Sequence, residues 1–130
     1  MLQHRSTIDV RFYELDPYNH VNHTNYLAYC EVARVRALES CGIGLNTLHD
    51  LGFHIVVIEL EAKFLAPAVG GDTLDVFTEV VDIRRASMHW SHRIERDGET
   101  IFTLAVRAAV TDVDGSPLRV PDVISTALSS

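Results

Sequence analysis

The chain predicts an α+β fold in which a five-stranded antiparallel sheet curls around one long helix, and three observations carry that reading. A single uninterrupted helical run is followed by four strand patterns and no second long helix, an order that favours α+β over α/β. The helical run carries a stripe of small residues, which lets a helix approach a curved sheet closely. An Asp97-Gly98 pair lies between two alternating runs and marks a tight antiparallel hairpin.

In chain order, residues 4–13 read as a first strand, with Ile8, Val10 and Phe12 at period two and Asp9 and Arg11 between them. The stretch 14–22 is irregular, with Pro17 and two asparagines, and residues 25–41 then form a helical run free of Gly and Pro, with Asn22 as its N-cap. Tyr26, Cys30, Ala33, Ala37 and Cys41 make its buried stripe, while Glu31, Arg34, Arg36 and Glu39 face elsewhere. Gly42 and Gly44 end it, and a short helix covers 45–51. Strands follow at 53–65, 73–83, 87–96 and 99–111, each alternating apolar with polar residues over part of its length. Asp114-Gly115 marks a further turn, and residues 121–128 form a last short helix begun by its proline.

With 130 residues, the chain is expected to form a single domain spanning residues 1–130. Eleven Lys and Arg against 18 Asp and Glu give a net charge of -7, which argues against nucleic acid as a partner and leaves room only for a local anion site. Cys30 and Cys41 stand too far apart along one helix for a disulfide, so a reducing, cytoplasmic setting is expected. No apolar run approaches the ~20 residues of a membrane span, and residues 1–9 lack a hydrophobic signal core.

Reactive side chains are densest at Glu14-Leu15-Asp16-Pro17-Tyr18-Asn19-His20-Val21-Asn22-His23, which leads straight into the long helix. Free N–H groups at a helix start carry partial positive charge and stabilise an oxygen that gains negative charge in a tetrahedral intermediate. With Asn22 as the cap, the His23 N–H is such a donor. Asp16, folded back by the Pro17 turn, has the chemistry of a general base or nucleophile. The competing reading is that Asp16 makes only an Asx-turn ahead of the proline.

The pattern Glu14-Leu15-Asp16-Pro17-x-x-His20-Val21-Asn22-x-x-Asn25-Tyr26, with Glu31 and Arg34 on the helix, resembles the signature of the hotdog-fold acyl-thioester hydrolases of the 4-hydroxybenzoyl-CoA thioesterase type. Phe64-Leu65-Ala66-Pro67 with Gly71-Asp72 is similar to that family's second-strand ending and turn, and Arg84-Arg85-x-Ser87 to the region where relatives meet coenzyme A. The resemblance implies a hotdog fold, Asp16 as the catalytic carboxylate, and the His23 backbone N–H as the donor that polarises the thioester carbonyl. Substrate contacts are further expected from Asn19, His20, Tyr26, Arg84, Arg85 and Ser87. Asn19 departs from the family, many of whose members have Gly there, and His23 replaces an Asn or aromatic residue, which leaves no role for its ring.

Other candidates have plainer readings. Asp16, His20 and His23 do not complete a zinc set, since no fourth ligand stands out, and no metal or redox cofactor is expected. His20 either positions the Asp16 loop or acts as a general acid for the leaving thiolate. Cys30 and Cys41 lie on the small-residue stripe and read as core, and His92 shares the face of Met88, Trp90 and Ile94. Arg84 and Arg85 are either a solvated turn or a phosphate site, and Ser87 either meets substrate or faces solvent. Glu31 and Arg34, three apart, read as an intrahelical pair, and Asp112-Val113-Asp114-Gly115 as a turn.

The expected function is hydrolysis of an acyl-CoA thioester to free acid and CoA. Hydrolysis of acyl groups on an acyl carrier protein or polyketide carrier, and non-catalytic acyl binding, stand as alternatives on the same scaffold. One such domain leaves a sheet edge and face open, so a homodimer or homotetramer is expected, with the acyl group in an apolar tunnel at the dimer interface.

Overall fold

The computed structural model describes residues 1–130. Its elements are β1 (Gln3–Asp9), a 3₁₀ turn (Phe12–Glu14), α1 (His23–Ser40), α2 (Leu45–Asp50), β2 (His54–Phe64), β3 (Thr73–Ile83), β4 (Ser87–Arg96), β5 (Glu99–Thr111), β6 (Pro117–Leu118) and α3 (Asp122–Ser129). The sheet runs β1-β3-β4-β5-β2, every pairing antiparallel, with α1 lying across its concave face. This is the α+β hotdog arrangement expected above, with one strand more.

That sixth strand, β6, corrects the expected five. β4 leaves β5 at Ala109, and Leu118 and Pro117 then pair with Val110 and Thr111 on the edge so vacated. Two residues are too few for an alternating pattern, so periodicity has no purchase on them. The first strand is also shorter than expected. Beyond Asp9 the chain bends away, because the Glu14 carboxylate accepts the Arg11 N–H and closes the 3₁₀ turn. Phe12, placed in the first strand with Ile8 and Val10 by its spacing, is 85% exposed on that turn.

The Asp97-Gly98 link is the two-residue hairpin expected, with both residues at positive φ (50° and 81°), where Gly meets no Cβ penalty. Asn22 caps α1, its side-chain oxygen accepting the Thr24 N–H at 3.1 Å. Tyr26, Cys30, Ala33 and Ala37 are buried against the sheet, as the small-residue stripe requires. Both cysteines are free, and burial pushes the Cys30 thiol up to about 12, so it stays protonated and inert.

His92 sits on the inner face of β4, buried between Thr78 and Arg34. Arg34 has no lone pair to offer, so Nε2 accepts its N–H and Nδ1 carries the ring proton toward Thr78 Oγ1. Burial, with the Arg34 charge beside it, pushes the imidazole down to about 3. Arg34 therefore reaches the sheet rather than forming the intrahelical ion pair with Glu31 that their spacing suggests.

β2 is an edge strand with a bulge at Ile58. Val57, Leu60 and Phe64 face the concave side with their β5 partners Ala108, Val106 and Phe102, yet each is about half exposed because α1 lies over the other end of the sheet. No helix is long and apolar enough to cross a membrane.

Candidate active site

Residues 14–22 form a small hairpin between β1 and α1. Leu15 bridges Val21, the Asp16 N–H donates to the His20 carbonyl at 2.7 Å, and the Asn22 N–H donates to the Glu14 carbonyl at 2.8 Å. Its tip turns at Asn19, whose φ of 63° explains the departure from Gly: Asn is the side chain that tolerates the left-handed region best.

Asp16 makes the turn and still keeps one carboxylate oxygen free. Its Oδ1 accepts the backbone N–H groups of Tyr18 (2.8 Å) and His20 (3.0 Å), which is the Asx-turn of the competing reading. Those bonds fix the carboxylate while Oδ2 makes no hydrogen bond within the chain and is left for a substrate or water.

The pocket beside it has a volume of about 360 Å³. Asp16, His20 and His23 form its polar rim, and Val21, Tyr26 and residues 64–67 at the end of β2 form its apolar wall. The opposite sides are braced together. The Val21 N–H donates to the Ala68 carbonyl, and the Ala68 N–H donates to the Tyr26 hydroxyl at 2.9 Å. Tyr26, Phe64 and Phe102 pack ring against ring, with centroids 4.9 to 5.3 Å apart. The β2–β3 connection is tied by Arg96, which donates to the Pro67 carbonyl and to Asp72, while Asp72 also accepts the Val69 N–H.

His23 opens α1, and its N–H has no acceptor within the chain, because Asn22 caps Thr24 instead. The pocket thus brings a carboxylate and the first residue of a helix to one rim, beside an apolar wall. Such a site can polarise a carbonyl, offer a base or nucleophile to its carbon, and shelter an apolar acyl group.

Of the sequence-predicted residues, the structure brings Asp16, His20, His23 and Tyr26 together. Asn19 stands at the hairpin tip, exposed, with its side chain against Gly70. Arg84, Arg85 and Ser87 lie elsewhere. They occupy the β3–β4 turn and the start of β4, at the far end of an eleven-residue strand whose near end meets the Asp16 hairpin, roughly 30 Å away at ~3.3 Å per residue. Ser87 is buried, and its carbonyl accepts the Arg84 N–H at 2.7 Å to close the turn.

Arg84 and Arg85 instead border a groove of about 970 Å³ together with Phe53 and Arg119. Sequence reasoning missed Arg119, which comes to the groove only because β6 carries it there. It also gave Glu14 no role, although Arg11 and Glu14 have the three-residue spacing of a capping pair.

The family model of the thioesterase-like superfamily matches residues 10–128. The chloroplastic acyl-acyl carrier protein thioesterase ATL3 of Arabidopsis thaliana is 32% identical over 123 residues, which cover 93% of this chain and 65% of that protein, so the chain spans just under two thirds of this relative's length. The long-chain acyl-CoA thioesterase FadM of Escherichia coli is 34% identical over 112 residues, 84% of this chain and 83% of that one. A thioesterase from Thermus thermophilus, solved in complex with coenzyme A and Zn, superposes with a TM-score of 0.82 at 30% identity, covering 95% of this chain and 90% of that one.

Proposed function

The chain belongs to the thioesterase-like superfamily, and we propose that it hydrolyses an acyl-CoA thioester to the free acid and CoA. One observation carries the assignment of the chemistry: Asp16 and His23, the first residue of α1, line one apolar-walled pocket.

In this reading the thioester carbonyl oxygen accepts the His23 N–H, which stabilises the negative charge it gains as the carbon becomes tetrahedral. Asp16 then acts in one of two ways. As a general base it takes a proton from water while the water oxygen bonds to the carbonyl carbon. As a nucleophile it bonds to that carbon itself, giving an anhydride that water opens. In either route the C–S bond breaks and the sulfur leaves as a thiolate, whose conjugate acid has a pKa near 8.5, so little acid assistance is needed.

The carrier would be met in a dimer. β2 ends at the Asp16 pocket with Phe64 and begins beside the Arg84-Arg85-Arg119 groove, where Phe53 precedes it. Antiparallel pairing of two β2 edges about a two-fold axis sets each strand's end beside the other's beginning. One protomer's pocket then lies next to its partner's basic groove, and the half-exposed apolar side chains of β2 come under cover. Three guanidinium groups on a chain of net charge -7 suit the phosphates of coenzyme A.

The likeness to ATL3 favours a second reading, in which an acyl carrier protein presents the acyl group. A free-thiol assay over acyl-CoAs of graded chain length, aryl-CoAs and an acyl-carrier substrate, run beside Asp16→Asn, separates the two. Turnover of CoA esters that Asp16→Asn abolishes is the expected result. No thiol release from any acyl thioester would overturn both.

A further inference from the structure

Glu14 is the chain's one buried carboxylate, 8% exposed, and the chemistry above makes no use of it. Its Oε1 accepts the Arg11 N–H and the Tyr29 hydroxyl, each at 2.8 Å, and Oε2 lies 3.5 Å from the Arg11 guanidinium. Its carbonyl oxygen accepts the Asn22 N–H at 2.8 Å and Asn25 Nδ2 at 3.0 Å. The donors come from the 3₁₀ turn, the helix cap and the first two turns of α1, so one residue ties the root of the Asp16 hairpin to the helix that supplies the His23 N–H. Asp16 stands two residues farther along, held across the hairpin to His20.

Burial, and after it the Glu14 carboxylate, pushes the Tyr29 phenol well above its ordinary value, so the hydroxyl stays a donor wherever the protein is folded. Gln at position 14 could still present an oxygen to both Oε1 donors; Ala could not.

We propose that Glu14 is a positioning residue, which sets the Asp16 carboxylate against the start of α1 by clamping the hairpin root to Tyr29, Asn25 and Asn22. The inference rests on the reading of Asp16 as the catalytic carboxylate. Its physical basis is that a displacement of about 1 Å in a reacting group costs on the order of 100-fold in rate, whereas Tyr26 and the end of β2, which make most of the apolar wall, are tied to each other through the Ala68 N–H without Glu14. Loss of the clamp should therefore fall on kcat and spare KM.

The test compares Glu14→Ala, Glu14→Gln, Tyr29→Phe, Asp16→Asn and the double variant Glu14→Ala/Asp16→Asn on the best acyl-CoA substrate. Glu14→Ala should lower kcat by about 10-fold or more with KM within about threefold, Glu14→Gln should recover most of it, and Tyr29→Phe should fall between. Added to Asp16→Asn, the Glu14 substitution should cost less than about twofold, because it acts through a group already removed. Equal losses in both backgrounds would mean a general effect on the fold and would overturn the proposal, as would an unchanged kcat in Glu14→Ala, while the Asp16 assignment stood. Wild-type turnover in Asp16→Asn would sink the catalytic reading and this one with it. Should Glu14→Ala fail to fold, Tyr29→Phe, which leaves the carboxylate on Arg11, decides by the same comparison with and without Asp16→Asn.

Discussion

Arg34 donates to His92 Nε2 across 3.0 Å, a cation facing an imidazole where a carboxylate would ordinarily stand. The contact is tolerable only while His92 is neutral, which sets a pH window. The folded-state value of about 3 lies below the ordinary 6.5, so between those values the unfolded chain binds a proton that the folded chain refuses. Stability is complete above pH 6.5 and falls as the pH drops toward 3. From pH 7 to 5 this group should cost ~2 kcal/mol, read as a lower urea midpoint, and His92→Gln should flatten that slope. An unchanged slope in the variant would refute the assignment.

Asp16→Asn should lower kcat by about 100-fold or more with the circular dichroism spectrum unchanged, since a positioned base contributes on that order. The Asx-turn survives the change, because Asn retains the oxygen that accepts the Tyr18 and His20 N–H groups. A folded variant with near wild-type turnover would reduce Asp16 to its turn.

The open edge of β2 predicts self-association. Sedimentation at micromolar concentration should give a dimer or tetramer, and Leu60→Asp, which puts a charge on the half-exposed concave face, should give a folded and inactive monomer. An active monomer would count against the shared site.

Replacing Arg84, Arg85 and Arg119 with Ala should raise KM for acyl-CoA severalfold and leave kcat little changed, with added salt mimicking the loss. An N-acetylcysteamine thioester, which lacks the phosphates, should not respond. Normal handling of acyl-CoA with loss of the carrier-bound substrate would transfer the groove to a carrier protein.

What could be read from sequence tracks the length scale of each signal. β3, β4 and β5 appear with the bounds expected, because each is a long alternating run closed by a turn with its own chemistry. The Asn22 cap and the stripe from Tyr26 to Ala37 follow from local rules in the same way. The misses are tertiary. β6 exists because β5 outlasts β4, the Phe12 turn exists because Glu14 reaches back to Arg11, and Arg34 finds a partner 58 residues away. The site divides likewise: the residues of one short segment meet at one pocket, whereas Arg84 and Arg85 border a separate groove that a pattern along the chain does not relate to it.

Asn19 and Gly70 press together closely enough that a Cβ at position 70 would fall 2.9 Å from Asn19 Oδ1 and 3.0 Å from Leu15 Cδ1. The absence of a side chain at 70 is therefore what lets the hairpin tip lie against the β2–β3 connection. A side chain at 70 would have to turn the Asn19 amide and the Leu15 methyl aside, whereas Asn19→Gly would remove the nearer of the two and keep the left-handed turn. Asn19→Gly alone would leave Leu15 Cδ1 in place, so Gly70 answers to two side chains of the hairpin rather than to its tip alone.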